Sequence, residues 1–540
     1  MSTETPTSAQ QTPPTLARRI LRGAAYLGVA QYGVLAIGIV KTIILARLVP
    51  VEYHGIVVLA LSWVSFLHLF RLEPREVVIS DPDGNPARLT TQYAIELATT
   101  LIGLVLGGLA YLLAPFLVEW LVGVFGENAY DTVSNLANPI VWQAIFVLLL
   151  LRVVQAATST PLYILHRDIR QDVITRLTLA GTVLGLIVAV VLAWQGFPLA
   201  SLLADAVVPP VFLGIGAWVA AGWRPALTWD RDVARDVFSF SFTLWTSGLL
   251  GKISFEFDDW LVGTLRGNRI VGFYGKAYTL AKMPMDVFAG VISGIALSAY
   301  AQSEAVSRAV LARVYRLMSW LLTRVVAWAS IVVLAAAEEI VLIMLGPNWL
   351  AVPLLVRLMF IYVLGRPLYQ NNAQLLISIR QERLFRTTQL VQAVALVLLA
   401  PPAVYFWGAE GASVAVSVMM LAGFALSQRY VMRFLDAPLV RLYGLPVLLV
   451  GVLTPLTYVL GDWLHTGIGA ALSGPAAALS GGVAGRVYLV DAVLALGVKG
   501  ISATLLFGGV VALLERGTLR EVIGLVSENL LKRETAPAAD

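Results

Sequence analysis

The chemistry open to this chain lies in ionised side chains placed where charge is costly. Lys41, Arg152, Lys252, Lys276, Lys282, Arg324, Arg357, Arg366 and Lys499 fall inside long apolar stretches, as do Glu96, Asp205, Glu256, Asp258, Asp259 and Asp286. A charge at mid-membrane costs at least about 2.5–3.5 kcal/mol on insertion scales, so such residues are kept for a partner or a task. Cations outnumber acids in this set, which suits an anionic ligand. Lys252 with Glu256, and Lys282 with Asp286, have the i,i+4 spacing of helical ion pairs, and Lys276 lies level with Glu256 across a short connection. Two readings follow: these residues pair with one another, or they border a water-filled cavity whose cations hold an anion. Lys41, Arg152 and Arg366 sit deep in their stretches without a nearby acid, so a cavity role stands beside packing on a carbonyl or a distant carboxylate. Asp205, Asp258, Asp259, Asp286 and Glu256 could relay protons or sodium; capping or pairing is the alternative for each.

Other chemistries find little support. The chain has no Cys and only 4 His residues, none at metal-ligand spacing, so no metal or other cofactor is expected. The strings at Gly248 (GLLGKIS) and Gly272 (GFYGKAYT) lack the spacing of a phosphate-binding loop. Asp81-Pro-Asp83-Gly84 looks like the metal-binding acids of a sugar transferase, but its Pro and Gly make it read as a turn.

The elements that must carry these charges are membrane helices. Of the 540 residues, 58% are hydrophobic and 13% charged, with mean hydropathy +0.80; a soluble domain carries roughly 25% charged residues. Basic clusters at Arg18/Arg19/Arg22, Arg167/Arg170/Arg176, Arg308/Arg313/Arg316 and Arg380/Arg383/Arg386 alternate with connections poor in Lys and Arg. Because short cationic loops stay cytoplasmic, this alternation predicts about fourteen helical spans with both termini inside. The net charge of +5 is explained by loops facing an anionic inner leaflet, not by nucleic acid.

The expected organisation is a disordered tail over 1–15, a six-helix lobe over 16–223, a basic linker over 224–236, a second six-helix lobe over 237–435, two further spans over 436–515, and an amphipathic helix and tail over 516–540. Spans 10 to 12 are placed at 350–379, 387–407 and 411–432. Six spans return the chain to the same side, so the lobes would be parallel repeats. Laying 45–61 on 262–278 aligns Leu48 with Leu265, Gly55 with Gly272 and Ala60 with Ala277.

Several strings then resemble a known family. GVAQYGVLAIGIVKTIILARLVPVEYHGIVVLALSW (28–63), the Asp258 to Gly263 and Gly272 to Tyr278 patterns, and Glu339-Ile340-Val341 with Leu345-Gly346 and Trp349 are similar to the Wzx-like polysaccharide flippases of the multidrug/oligosaccharidyl-lipid/polysaccharide exporter superfamily. The resemblance covers about 28–432. It implies two six-helix lobes in a V around a central cavity with a C-terminal helix pair. It also implies no enzyme activity, and movement of a polyprenyl-diphosphate-linked oligosaccharide across the cytoplasmic membrane by alternating access. Lys41, Lys252, Lys276, Lys282 and Arg366 would then contact the diphosphate or line the cavity. Membrane lipids and a polysaccharide polymerase or export complex would be its partners. A drug or metabolite exporter of the same superfamily, and a membrane glycosyltransferase or polymerase, are the alternatives.

Overall fold

A computed structural model describes residues 13–67, 71–72, 86–125, 138–226, 229–436, 440–479, 484–517 and 519–520. The tail before Pro13, the Asp81–Gly84 turn and most of the amphipathic stretch after 516 lie outside the described residues. Among the described residues every regular element is a helix. Nine helices among the described residues are long and apolar enough to span a bilayer, or ten if one bent pair counts as a single span. The protein is an all-α, multi-pass membrane protein.

The described chain divides into two compact units, Met1–Gly272 and Phe273–Asp540, so the basic segment 224–236 lies within the first. That unit holds α1 (Pro13–Leu48), α2 (Val51–Leu67), α3 (Pro86–Phe125), α4 (Pro139–Arg167), α5 (Gln171–Trp194), α6 (Pro198–Ala221) and α7 (Arg231–Arg266). Their boundaries follow local chemistry. Asn138 caps α4 by accepting from the Ile140 N–H at 2.9 Å, and Pro139 follows at a position whose N–H has no helical partner. Asp230 caps α7 through the Asp232 and Val233 N–H groups at 2.9 and 3.1 Å. Gly222, at φ 62°, ends α6 in the left-handed conformation that costs glycine least.

Within this unit α5 packs on α1 and α6, α4 on α2, α3 and α6, and α7 on α2 and α3. Small residues let the helices approach closely, as in membrane bundles generally. A methyl group at Gly185 would come 2.8 Å from the Pro209 ring, and one at Gly214 would come 2.4 Å from the Thr158 hydroxyl.

The second unit runs through α8 (Asn268–Pro284, which starts just before the division), a π-helical turn (Met285–Ala289), α9 (Gly290–Val306), α10 (Arg308–Ala335), α11 (Ala337–Met344), α12 (Val352–Leu358), α13 (Phe360–Ser378), α14 (Glu382–Phe434), α15 (Leu445–Leu479) and α16 (Ala484–Leu514). Expected span 10 is bent by 52° between α12 and α13. Expected spans 11 and 12 lie on either side of Gly408 within α14, where φ 62° and ψ −135° are not helical and the chain kinks between two helices. Glycine has no Cβ to clash there, so a sharp turn needs a single residue instead of a loop.

Uncharged hydrogen bonds fasten the centre of this unit. The Tyr300 hydroxyl donates to Asn371 at 2.8 Å, and that of Tyr315 to Asn372 at 2.6 Å. The Asn372 amide donates in turn to Ser427 and Gln428, each at 3.0 Å. α9, α10, α13 and α14 are thereby joined through a buried network in which each link strengthens its neighbours.

Candidate functional site

The ionised residues inside the helices fall into two groups by burial. In the first unit, Arg71 donates to Glu96 at 2.6 Å, and Ser159 donates to the other Glu96 oxygen at 2.8 Å. Both charged partners are almost fully buried. In the second unit, Lys499 is 1% exposed and lies 2.6 Å from Glu339 and 2.8 Å from Asp462, with its ammonium 4.5 Å from the Tyr458 ring centre. Arg324 is similarly enclosed, bonded to Glu515 through two nitrogens and donating to the Leu442 carbonyl at 2.7 Å. Arg324 has all three guanidinium nitrogens engaged and Lys499 two carboxylates, so these two cations tie distant parts of the second unit together.

Lys41 and Lys282 are different. Lys41 Nζ lies 3.0 Å from Asp205 Oδ2 with 28% and 18% of the two side chains exposed. Lys282 Nζ lies 3.6 Å from Asp286 Oδ2 with 41% of each exposed. Asp286 sits in the π turn that follows Pro284, where the missing proline N–H already breaks the helical ladder. Lys41 and Asp205 lie in helices apolar enough to span a bilayer, where a partly open ion pair is costly against lipid tails.

Three of the expected acids, Glu256, Asp258 and Asp259, share α7. Asp258 is fully buried. Asp259 lies in the fields of Asp258 and Glu256, and its Oδ1 atom is buried without a hydrogen-bond partner. Glu256 has Ser65 as a hydrogen-bonding neighbour and Lys252 and Arg152 as its nearby cations. Arg152 also donates to Gln155 at 3.0 Å. Three carboxylates and two cations thus lie near one another within the first unit.

Lys276 and Arg366 are held by aromatic faces. The Lys276 ammonium lies 6.0 Å from the Trp349 ring centre, and the Arg366 guanidinium 5.6 Å from that of Tyr362. Both distances are at cation–π range. Sequence spacing finds the Lys282–Asp286 pair, four residues apart, but not the Lys41–Asp205 pair or the partners of Arg71, Arg324 and Lys499, which lie in distant helices.

Three comparisons bear on this arrangement. A family model described as polysaccharide biosynthesis protein matches residues 44–354. The teichuronic acid biosynthesis protein TuaB of Bacillus subtilis (strain 168) is 22% identical over 156 residues, 29% of this chain and 32% of that protein. The match therefore spans about a third of this relative's length. Among solved structures, lipid II flippase MurJ in its inward closed conformation superposes with a TM-score of 0.61 at 11% identity, covering 91% of this chain and 100% of that one. The inward-facing multidrug resistance MATE family transporter of the MOP superfamily gives 0.47 at 14% identity over 76% and 98% of the two chains. The chain has the MurJ fold, and by the match over more than half its length it belongs to the polysaccharide biosynthesis protein family.

Proposed function

We propose that this protein is a flippase that moves a polyprenyl-diphosphate-linked oligosaccharide across the cytoplasmic membrane by alternating access, supplying a cell-surface polysaccharide. The observation that carries this reading is the partial exposure of Lys41 and its partner Asp205 within the candidate spans Gly28–Leu48 and Pro198–Ala221, where a charge persists only against water or a ligand; the open Lys282–Asp286 pair adds a second cation. Each cation is balanced by one carboxylate while no cargo is bound; an arriving diphosphate competes for that cation, and the released carboxylate is then balanced by taking up a proton or a small cation. Family membership supports a role in polysaccharide synthesis, and the MurJ fold supports movement of a lipid-linked cargo.

In this reading Lys41, Lys252, Lys276, Lys282, Arg152 and Arg366 line the path of the diphosphate and sugars, while the lipid tail stays in the bilayer. Asp205, Glu256, Asp258, Asp259 and Asp286 couple transport to a proton or sodium gradient. About fourteen crossings, both termini inside, and a downstream polymerase or export complex complete the proposal.

The test is reconstitution. Liposomes carrying the full chain and a fluorescent polyprenyl-diphosphate oligosaccharide are exposed to an added hydrolase, which cleaves only outer-leaflet substrate. Cleavage beyond half the label in wild type, lost in Lys41→Ala plus Lys282→Ala, is the expected result. Cleavage no different from empty liposomes across several glycans would favour a drug or metabolite exporter.

A further inference from the structure

A cavity of about 520 Å3 lies wholly within the second unit, between the end of α10, the α12–α13 bend and α15. Its volume is that of a small-molecule site, for which roughly 300–1,000 Å3 is usual. The wall is mostly aliphatic and aromatic, and two of its residues, Phe360 and Val459, are 46% and 64% exposed on the outer surface of the unit. The cavity therefore opens toward the surrounding bilayer.

Polar groups converge at one end of it. Arg357 donates through Nε to the Leu334 carbonyl at 3.2 Å and through Nη1 to Glu338 at 3.1 Å. Its Nη2 atom is buried with no hydrogen-bond partner, and the same is true of the Thr454 hydroxyl in the facing wall. Pro455 has no N–H to offer the Gly451 carbonyl one turn earlier, so that wall also holds an acceptor outside the helical ladder. Buried polar atoms without partners are uncommon in native proteins and call for an explanation.

We propose that this cavity binds one zwitterionic phospholipid from the membrane. The phosphate accepts from Arg357 Nη2 and the Thr454 hydroxyl, the ammonium sits beside Glu338, and the upper part of an acyl chain fills the apolar wall. The headgroup choice follows from charge. Arg357 and Glu338 together are neutral, and the Glu338 side chain remains 42% exposed and able to accept. A headgroup bearing only negative charge would bring its phosphate close to that carboxylate without compensation. Such a lipid would pack where α15 meets α10 and the α12–α13 bend, and this role is independent of the transported cargo.

The experiment counts lipids. Purified full-length protein in detergent is titrated with phosphatidylethanolamine, phosphatidylglycerol or polyprenyl phosphate and read by native mass spectrometry. Two variants are compared: Arg357→Gln, and Gly451→Leu, which enters the cavity from a position where an added Cβ meets nothing within 4 Å. One phosphatidylethanolamine per wild-type chain is expected, bound about tenfold more weakly by each variant, with lipid-free melting midpoints unchanged. Equal retention by Gly451→Leu and wild type would overturn the site. Phosphatidylglycerol bound as tightly as phosphatidylethanolamine would overturn the headgroup assignment. Displacement by polyprenyl phosphate at lower concentration would overturn the phospholipid and reassign the cavity to cargo.

Discussion

Gly55 and Gly272 meet backbone to backbone: a Cβ built on Gly272 would stand 3.2 Å from the Gly55 amide nitrogen, and one on Gly55 only 1.6 Å from the Asn268 carbonyl oxygen. Nothing larger than hydrogen fits at Gly55, because the obstacle is main chain and cannot rotate away. Gly55→Ala is expected to lose monodisperse protein in fluorescence-detected gel filtration. Gly108→Ala, where the added methyl meets nothing within 4 Å, should match wild type or gain about 1 kcal/mol from the better helix former.

Transport and stability should separate at Lys41. The pair with Asp205 is partly open, and such pairs contribute about 0–1 kcal/mol to folding. Lys41→Ala should therefore shift the melting midpoint little while reducing substrate flipping more than tenfold in the liposome assay. The swap Lys41→Asp with Asp205→Lys should keep the fold yet recover little flipping, since the cation would then sit on the other helix.

The opposite balance is expected at Lys499. Removing one member of a buried pair strands the other, at about 3–5 kcal/mol. Lys499→Met should lower chemical-denaturation stability by about that amount, and Glu339→Gln should lower it less, because Lys499 keeps Asp462 at 2.8 Å. Adding Glu339→Leu to Lys499→Met should regain part of the loss, because no charge then remains buried at that contact.

The acids of α7 predict ion dependence. Asp259 sits beside two further carboxylates, and such a cluster is relieved by taking up a proton or a small cation. Wild-type flipping should change with an imposed proton or sodium gradient across the liposome membrane. Asp259→Asn should flip at a rate indifferent to both gradients; a gradient response identical to wild type would remove Asp259 from the coupling role.

The membrane class and the helical stretches were legible from hydropathy and the spacing of Arg clusters, because lipid forces long apolar helices whatever their packing. Lys282 and Asp286 were legible as a pair because the helix itself brings them together. Lys41 and Asp205 were legible as isolated charges but not as partners, since their meeting depends on how α1 stacks on α5 and α6. Arg357 carried no sequence signal separating it from Arg324, yet one ends with a buried nitrogen to spare and the other with every role filled. Pairing across helices is decided by tertiary geometry, which no local period encodes. The boundary between the expected spans 387–407 and 411–432 was legible too, and the non-helical Gly408 falls between them; its sharp turn is what lets two spans meet without a longer connection.

The bond between Glu339 and Lys499 joins residues 160 positions apart. A ribosome adding roughly 5–20 residues per second makes Glu339 some 8 to 30 s before its partner exists. Arg324 waits longer still for Glu515. During that interval the membrane-insertion machinery must accept helices whose charges have nowhere to go, by holding them at its own polar lining or by leaving α10 and α11 shallow in the headgroup region. Biogenesis of the second unit is therefore not a simple march from N- to C-terminus: its middle is finished by its end, and a chain cut short before α16 carries Arg324 and Glu339 without these partners.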